Sequence, residues 1–128
     1  MYPKKKIEKL IDKYAETFRK ALGIKNVVKF HVYSGKSKKY KKISTSKVDL
    51  QGVTMLSSEG YAEIIIFFDQ HTNEREAIGT IFHELLHVRL FKLTGMVTLK
   101  AERANIVEEK LVRDLEAMFL RVFYDGKL

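Results

Sequence analysis

His83-Glu84-Leu85-Leu86-His87 sets two imidazoles four residues apart with a carboxylate between them. In a helix, residues at this spacing sit one turn apart on one face, so both rings can point at a single ion. Neutral imidazole suits zinc, which takes nitrogen ligands at ~2.0–2.1 Å and favours a tetrahedral shell. Glu84 is turned about 100° from His83 around the helix axis, so it cannot easily join the same shell. It can reach a water held by the ion. The chemistry on offer is hydrolysis: the ion acidifies water and polarises a carbonyl, and Glu84 carries the proton to the leaving amine. One zinc per chain is expected.

A catalytic zinc site normally has three protein ligands and one open position. No histidine follows His87, and there is no cysteine, so the third ligand should be a carboxylate unless His31 or His71 arrives from elsewhere. The last strongly helical stretch carries Glu102, Glu108, Glu109, Asp114 and Glu116. There Ala104, Leu111, Leu115, Met118, Phe119 and Val122 recur at helical spacing as an apolar stripe. Glu108 falls inside that stripe, while Glu109, Glu116 and Glu102 fall beyond its edge. A glutamate facing inward needs a partner, which favours Glu108 as the third ligand, with Glu109 as the alternative.

The elements that must position these groups can be read from pattern. Residues 4–22 form an amphipathic helix through Ile7, Leu10, Ile11, Tyr14, Phe18, Ala21 and Leu22, stopped by Gly23. Val27–Tyr33 reads as a strand, Gly35–Lys47 as a lysine-rich loop or hairpin, and Val48–Leu56 as a second strand interrupted by Gly52. A turn at Ser57–Gly60 leads into Tyr61–Phe68, the clearest strand. Thr72 or Asn73 caps a helix that runs to about Leu93 and is apolar nearly all round, the mark of a buried central helix. A final helix covers about Thr98 to Phe123. No repeat or linker divides the chain. Residues 1–128 are expected to form one α+β domain: an N-terminal helix, a small, mostly antiparallel sheet of about three strands, then the two helices bearing the site.

Composition narrows the setting. The chain has 128 residues and a formal charge of +8, with no cysteine for disulfides or thiolate ligands. Residues 1–50 hold 15 basic and 4 acidic side chains, and residues 51–128 hold 9 and 12, so the basic part is not the part with the chemistry. A positive surface favours anionic partners. Nucleic acid is a conceivable second partner through Lys36–Lys47, where Tyr40 is the one interleaved aromatic. Met1–Lys6 leads into mixed residues rather than an apolar run, and no segment approaches a membrane span, so a cytoplasmic protein without membrane partners is expected. It would be a monomer or a homodimer.

The motif and the downstream glutamate together resemble the gluzincin metallopeptidases. In these, HExxH on an active-site helix is followed by a glutamate on a second helix. Glu108 lies 21 residues after His87, close to the separation in thermolysin-like members. The small size and element order look most like the minigluzincins, the minimal single-domain members. The resemblance covers about residues 61–119 by motif. It implies a zincin-like fold and hydrolysis of peptide or protein substrates, with His83, His87 and Glu108 as zinc ligands and Glu84 as general base. It also implies an edge strand above the active-site helix that pairs with extended substrate, a part Tyr61–Phe68 could take. The family often has an aspartate four residues after the glutamate ligand; here that position is Val112. Tyr124 and Arg121 are the only candidates for stabilising an oxyanion. The apolar tail Phe119–Leu128 could lie over the cleft as a latency device.

Overall fold

The computed structural model describes residues 2–35, 51–56, 60–95 and 101–126, and for 91–95 and 101–107 the backbone alone. Lys36–Lys47, the turn residues Ser57–Glu59 and the side chains of Glu102 and Ala104 lie outside the described set.

The first helix, α1 (Lys4–Ala21), buries Ile7, Leu10 and Phe18. It ends where the sequence expected. Gly23 N–H donates to Lys20 O and Ile24 N–H to Arg19 O, closing the last turn with φ 67° at Gly23. The Arg19 guanidinium also donates to Ile24 O at 2.6 Å. Strands β1 (Val27–Tyr33), β2 (Gly52–Leu56) and β3 (Tyr61–Phe67) follow, and a single 3-10 turn, Phe68–Gln70, closes β3.

The sheet order is β1-β3-β2. β3 runs parallel to β1, from Val27 opposite Tyr61 to Tyr33 opposite Phe67, and antiparallel to β2. The fold is α+β as expected, but one of the two pairings is parallel, so the sheet is mixed rather than mostly antiparallel. β3 is the central strand. Ala62, Ile64 and Ile66 point into the main core, and Ile65 and Phe67 on the other face are equally inaccessible. An unbroken apolar run is what a strand buried on both faces requires. This corrects the idea that Tyr61–Phe68 receives substrate as an edge strand: both of its edges are already paired. A proline at Ile65 would break the sheet and report nothing about substrate.

Helix α2 (Glu74–Gly95) starts with a reciprocal cap. Asn73 Oδ1 accepts from Glu76 N–H at 2.9 Å, and the Glu76 carboxylate reaches back to Thr72 N–H and its hydroxyl. Ala77, Ile78, Ile81, Leu85, Leu86 and Val88 are all buried, so α2 is the central helix its composition indicated. His71 is fully buried just before it. Its Nδ1 lies 2.8 Å from Phe67 O and its Nε2 2.8 Å from the Thr80 hydroxyl. Burial pulls its pKa down, partly opposed by the Phe67 carbonyl, so His71 is a neutral pin between β3 and α2.

Helix α3 (Ala101–Phe119) packs along α2 and passes into one π-helical stretch, Leu120–Tyr124. Phe119 stacks on Phe82 with centroids 3.9 Å apart, and Phe18 meets Phe119 and Phe123 edge-on. The Arg75 guanidinium makes a two-pronged pair with Asp125, and the Tyr124 hydroxyl donates to Glu74. The described tail is therefore fastened to α1 and the first turn of α2. None of its residues bonds to His83, Glu84 or His87 among the described contacts, so the latency device has no support here. No helix among the described residues is long and apolar enough to cross a membrane.

This packing predicts unequal costs at the two kinds of tail contact. Phe119→Ala should lower stability by about 3 kcal/mol, as removal of a packed aromatic does. Arg75→Ala should cost under ~1 kcal/mol, because its partner ion pair is partly exposed. Urea unfolding of both variants measures this, and a loss at Arg75 as large as that at Phe119 would contradict the aromatic stack as the stronger fastening.

Candidate metal centre

α2 presents His83 and His87 on one side and Glu84 on the next. The two Nε2 atoms converge to 3.2 Å, and Glu109 faces both of them: its Oε1 is 3.2 Å from His83 Nε2 and its Oε2 is 2.9 Å from His87 Nε2. One ligand atom from each of His83, His87 and Glu109 lies within 4.8 Å of the others, a group that could hold a metal ion. Spacing tests the fit. Donors bound at ~2.0–2.1 Å to a tetrahedral ion stand about 3.3 Å apart. The two Nε2 atoms, 3.2 Å apart, match that value, while Glu109 offers a different oxygen to each ring, Oε1 at 3.2 Å and Oε2 at 2.9 Å.

The outer ring nitrogens are held as well. Glu116 Oε1 lies 2.6 Å from His83 Nδ1, and Glu108 Oε1 lies 2.9 Å from His87 Nδ1. A carboxylate on Nδ1 keeps a proton there, so that a ring that gives up its Nε2 proton would turn that lone pair inward. Gly79, one turn before His83, makes room for this. A Cβ at Gly79 would stand 3.1 Å from Glu116 Oε2 and 3.0 Å from Leu120 Cδ1.

Glu84 is 4 % exposed, with Oε2 3.9 Å from His83 Nε2 and Oε1 accepting from the Thr54 hydroxyl at 3.0 Å. Burial pushes its carboxyl pKa up, while the charges of His83 and His87 and the Thr54 hydrogen bond pull it back. β2 lies directly against this part of α2. A Cβ on Gly52 would come within 3.0 Å of Glu84 Cγ and 3.1 Å of Thr80 Cγ2. The strand bordering the site is thus β2, one of the two edge strands of the described sheet.

The expected residues are therefore brought together, with one exchange of place. His83, His87 and Glu84 stand where the motif puts them. The expected third ligand was Glu108. Its carboxylate is instead on the outer nitrogen of His87, and the inner position belongs to Glu109. Glu108 does face inward, but it meets His87 at Nδ1, and α3 is turned from the expected phase at its more apolar positions. Val112, Leu120 and Glu108 are buried, whereas Leu111, Met118 and Val122 of the supposed inward stripe are exposed. Asp114 is exposed, and His31 sits beside Glu63 and Tyr33 on β1. Tyr124 bonds to Glu74 and Arg121 is exposed, so neither proposed oxyanion partner joins the centre. Glu116 was passed over, yet a signal existed. Two half-buried imidazoles have four ring nitrogens, and one ligand carboxylate cannot serve them all.

Charge follows from this geometry. Burial opposes protonation of His83, but Glu109 and Glu116 outweigh it and raise its pKa to about 10. Burial likewise opposes protonation of His87, and Glu109 and Glu108 outweigh it. Glu109, hydrogen-bonded by both rings, is held well below the usual carboxylate range. No protein-family model, curated protein or solved structure matches the chain, so the site stands on its own geometry.

Two linked outcomes follow for the metal-free chain. Because the folded pKa of His83 is raised, its stabilising contribution is complete below about 6.5 and disappears as pH rises through about 10. The urea midpoint of metal-free protein should fall between pH 7 and pH 10. Ion binding at pH 7 should also release between about one and two protons, because ligating imidazoles must be neutral. Calorimetry in buffers of different ionisation enthalpy counts them, and zero release would contradict the charged histidine pair.

Proposed function

We propose that the chain is a zinc-dependent metallopeptidase, with His83, His87 and Glu109 as ligands and Glu84 as general base. The observation that carries this reading is the convergence of three suitably spaced donors beside a buried carboxylate with an oxygen to spare. Two imidazoles and one carboxylate, with an open fourth position, are a donor set suited to catalytic zinc. The HExxH motif and its resemblance to gluzincins make the peptide bond the preferred substrate.

Bound zinc would supply an acidified water and a polarised scissile carbonyl. Everything else falls to the chain. Glu84 Oε2 takes the proton of the attacking water and delivers it to the departing amine. A carboxyl whose proton affinity is raised by burial suits that two-way role. The Thr54 hydroxyl fixes the other oxygen, so Glu84 offers the proton-carrying one in a set direction. Glu108 and Glu116 keep both imidazoles in the tautomer that aims Nε2 inward.

Metal content and proteolysis of unfolded casein check the assignment together. Wild type should retain about one zinc per chain after dialysis. Glu84→Gln should keep the metal and lose activity by ~10²-fold or more. Glu109→Gln should lose the metal, whereas Glu108→Gln and Glu116→Gln should bind it ~10–100-fold more weakly. If Glu108→Gln strips the ion and Glu109→Gln does not, the two glutamates exchange roles. If wild type takes up no zinc at all, the proposal is wrong.

A further inference from the structure

The rotation of α3 that brings Glu109 and Glu116 to the histidines has a second effect: it turns an apolar row toward solvent. Leu111, Met118 and Val122 are 39 %, 58 % and 44 % exposed, and Leu115 between them is half-buried. Their spacing is four, three, four, the alternation of a helix-pairing seam. Asp114 and Arg121 flank the row on its solvent side. Both are exposed, and neither has an ion pair or hydrogen bond within the chain among the described residues.

We propose that this face, which continues from α3 into the π-helical stretch after it, pairs with the same face of a second copy, antiparallel about a two-fold axis. A two-fold contact must be self-complementary. This row meets the requirement in two respects. With the helices antiparallel, Leu111 falls opposite Val122 of the second copy and Leu115 opposite its Met118, and the two-fold repeats both contacts. In the same register Asp114 falls beside Arg121 of the second copy, and Arg121 beside its Asp114, giving two opposite-charge pairs. A parallel arrangement gives neither: Asp114 would meet Phe119, which is committed to its own core.

The metal centre stays clear of the contact, since Glu109 and Glu116 lie roughly 140° around α3 from the row. Four apolar residues per copy fall well short of the ~20–30 residues a side of a standard interface, so the association is weak and depends on concentration.

Sedimentation equilibrium of the full chain over a wide concentration range decides the matter. The mass should rise from 14.9 kDa toward twice that value. Asp114→Arg alone, and Arg121→Asp alone, should each weaken the dimer at least about tenfold by placing like charges together. The double variant Asp114→Arg/Arg121→Asp should restore it, because the pairs re-form with signs exchanged. Met118→Lys should leave monomer only. Circular dichroism confirms that each variant is folded, and zinc content should not change in any of them. A chain that stays monomeric throughout overturns the proposal, as does a dimer indifferent to the single reversals. A dimer weakened by both singles but not restored by the double excludes this register.

Discussion

The arrangement of this protein depends on how two imidazoles can be kept largely out of water on an otherwise apolar helix. His83 and His87 occupy the central helix, where desolvating a charge is expensive. The answer is a layer of carboxylates from a facing helix. Glu108 and Glu116 take the outer nitrogens, and Glu109 takes both inner ones. Each histidine is therefore satisfied at both ends of its ring, and no buried side-chain polar atom among the described residues lacks a partner. The relative placement of α2 and α3 follows from this matching, and the apolar contacts accommodate it.

Other features make that placement possible at short range. Gly79 is a notch into which Glu116 and Leu120 fit, and Gly52 lets β2 rest on the Glu84 stem. At the far end, the stack of Phe82 on Phe119, with Phe18 and Phe123 against it, fixes the rotation of α3 about its axis. His71 and Thr80 tie the start of α2 to the end of the central strand. The Thr54–Glu84 bond then links β2 to the motif itself, so Glu84 is held from the sheet side and the histidines from the helix side.

Much of this was legible in the sequence because it is local. The HExxH motif is a one-turn relation within a helix, and the ends of α1 and the cap of α2 are set by residues three to five positions apart. The strands were legible from their β-branched and aromatic runs. Strand order was not, because it depends on long-range pairing. The run of isoleucines in Tyr61–Phe67 could have indicated a central strand, since alternation would have marked an edge. The phase of α3 was misread for a physical reason. Two stripes compete on that helix, and the more apolar one through Leu111 and Met118 looks like the inward one. Pairing three glutamates with two histidines outweighs burial of those side chains. Counting hydrophobic residues alone places Glu108 inward, where it is buried, but does not show that Glu109 beside it reaches both inner nitrogens.

The position of Glu109 between the two Nε2 atoms has a consequence for which ions can enter. In the metal-free chain that carboxylate already has a counter-charge, the protonated His83 beside it. A cation arriving at the centre meets incumbents rather than an open cup, and must displace protons bound far more firmly than on a free histidine. Magnesium and calcium, which favour oxygen donors, gain too little from nitrogen to do so. Ions high in the order of affinity for imidazole can. Were an ion bound there, the same charge network would set its affinity in competition with hydrogen ions and so tie it to the pH of the surroundings.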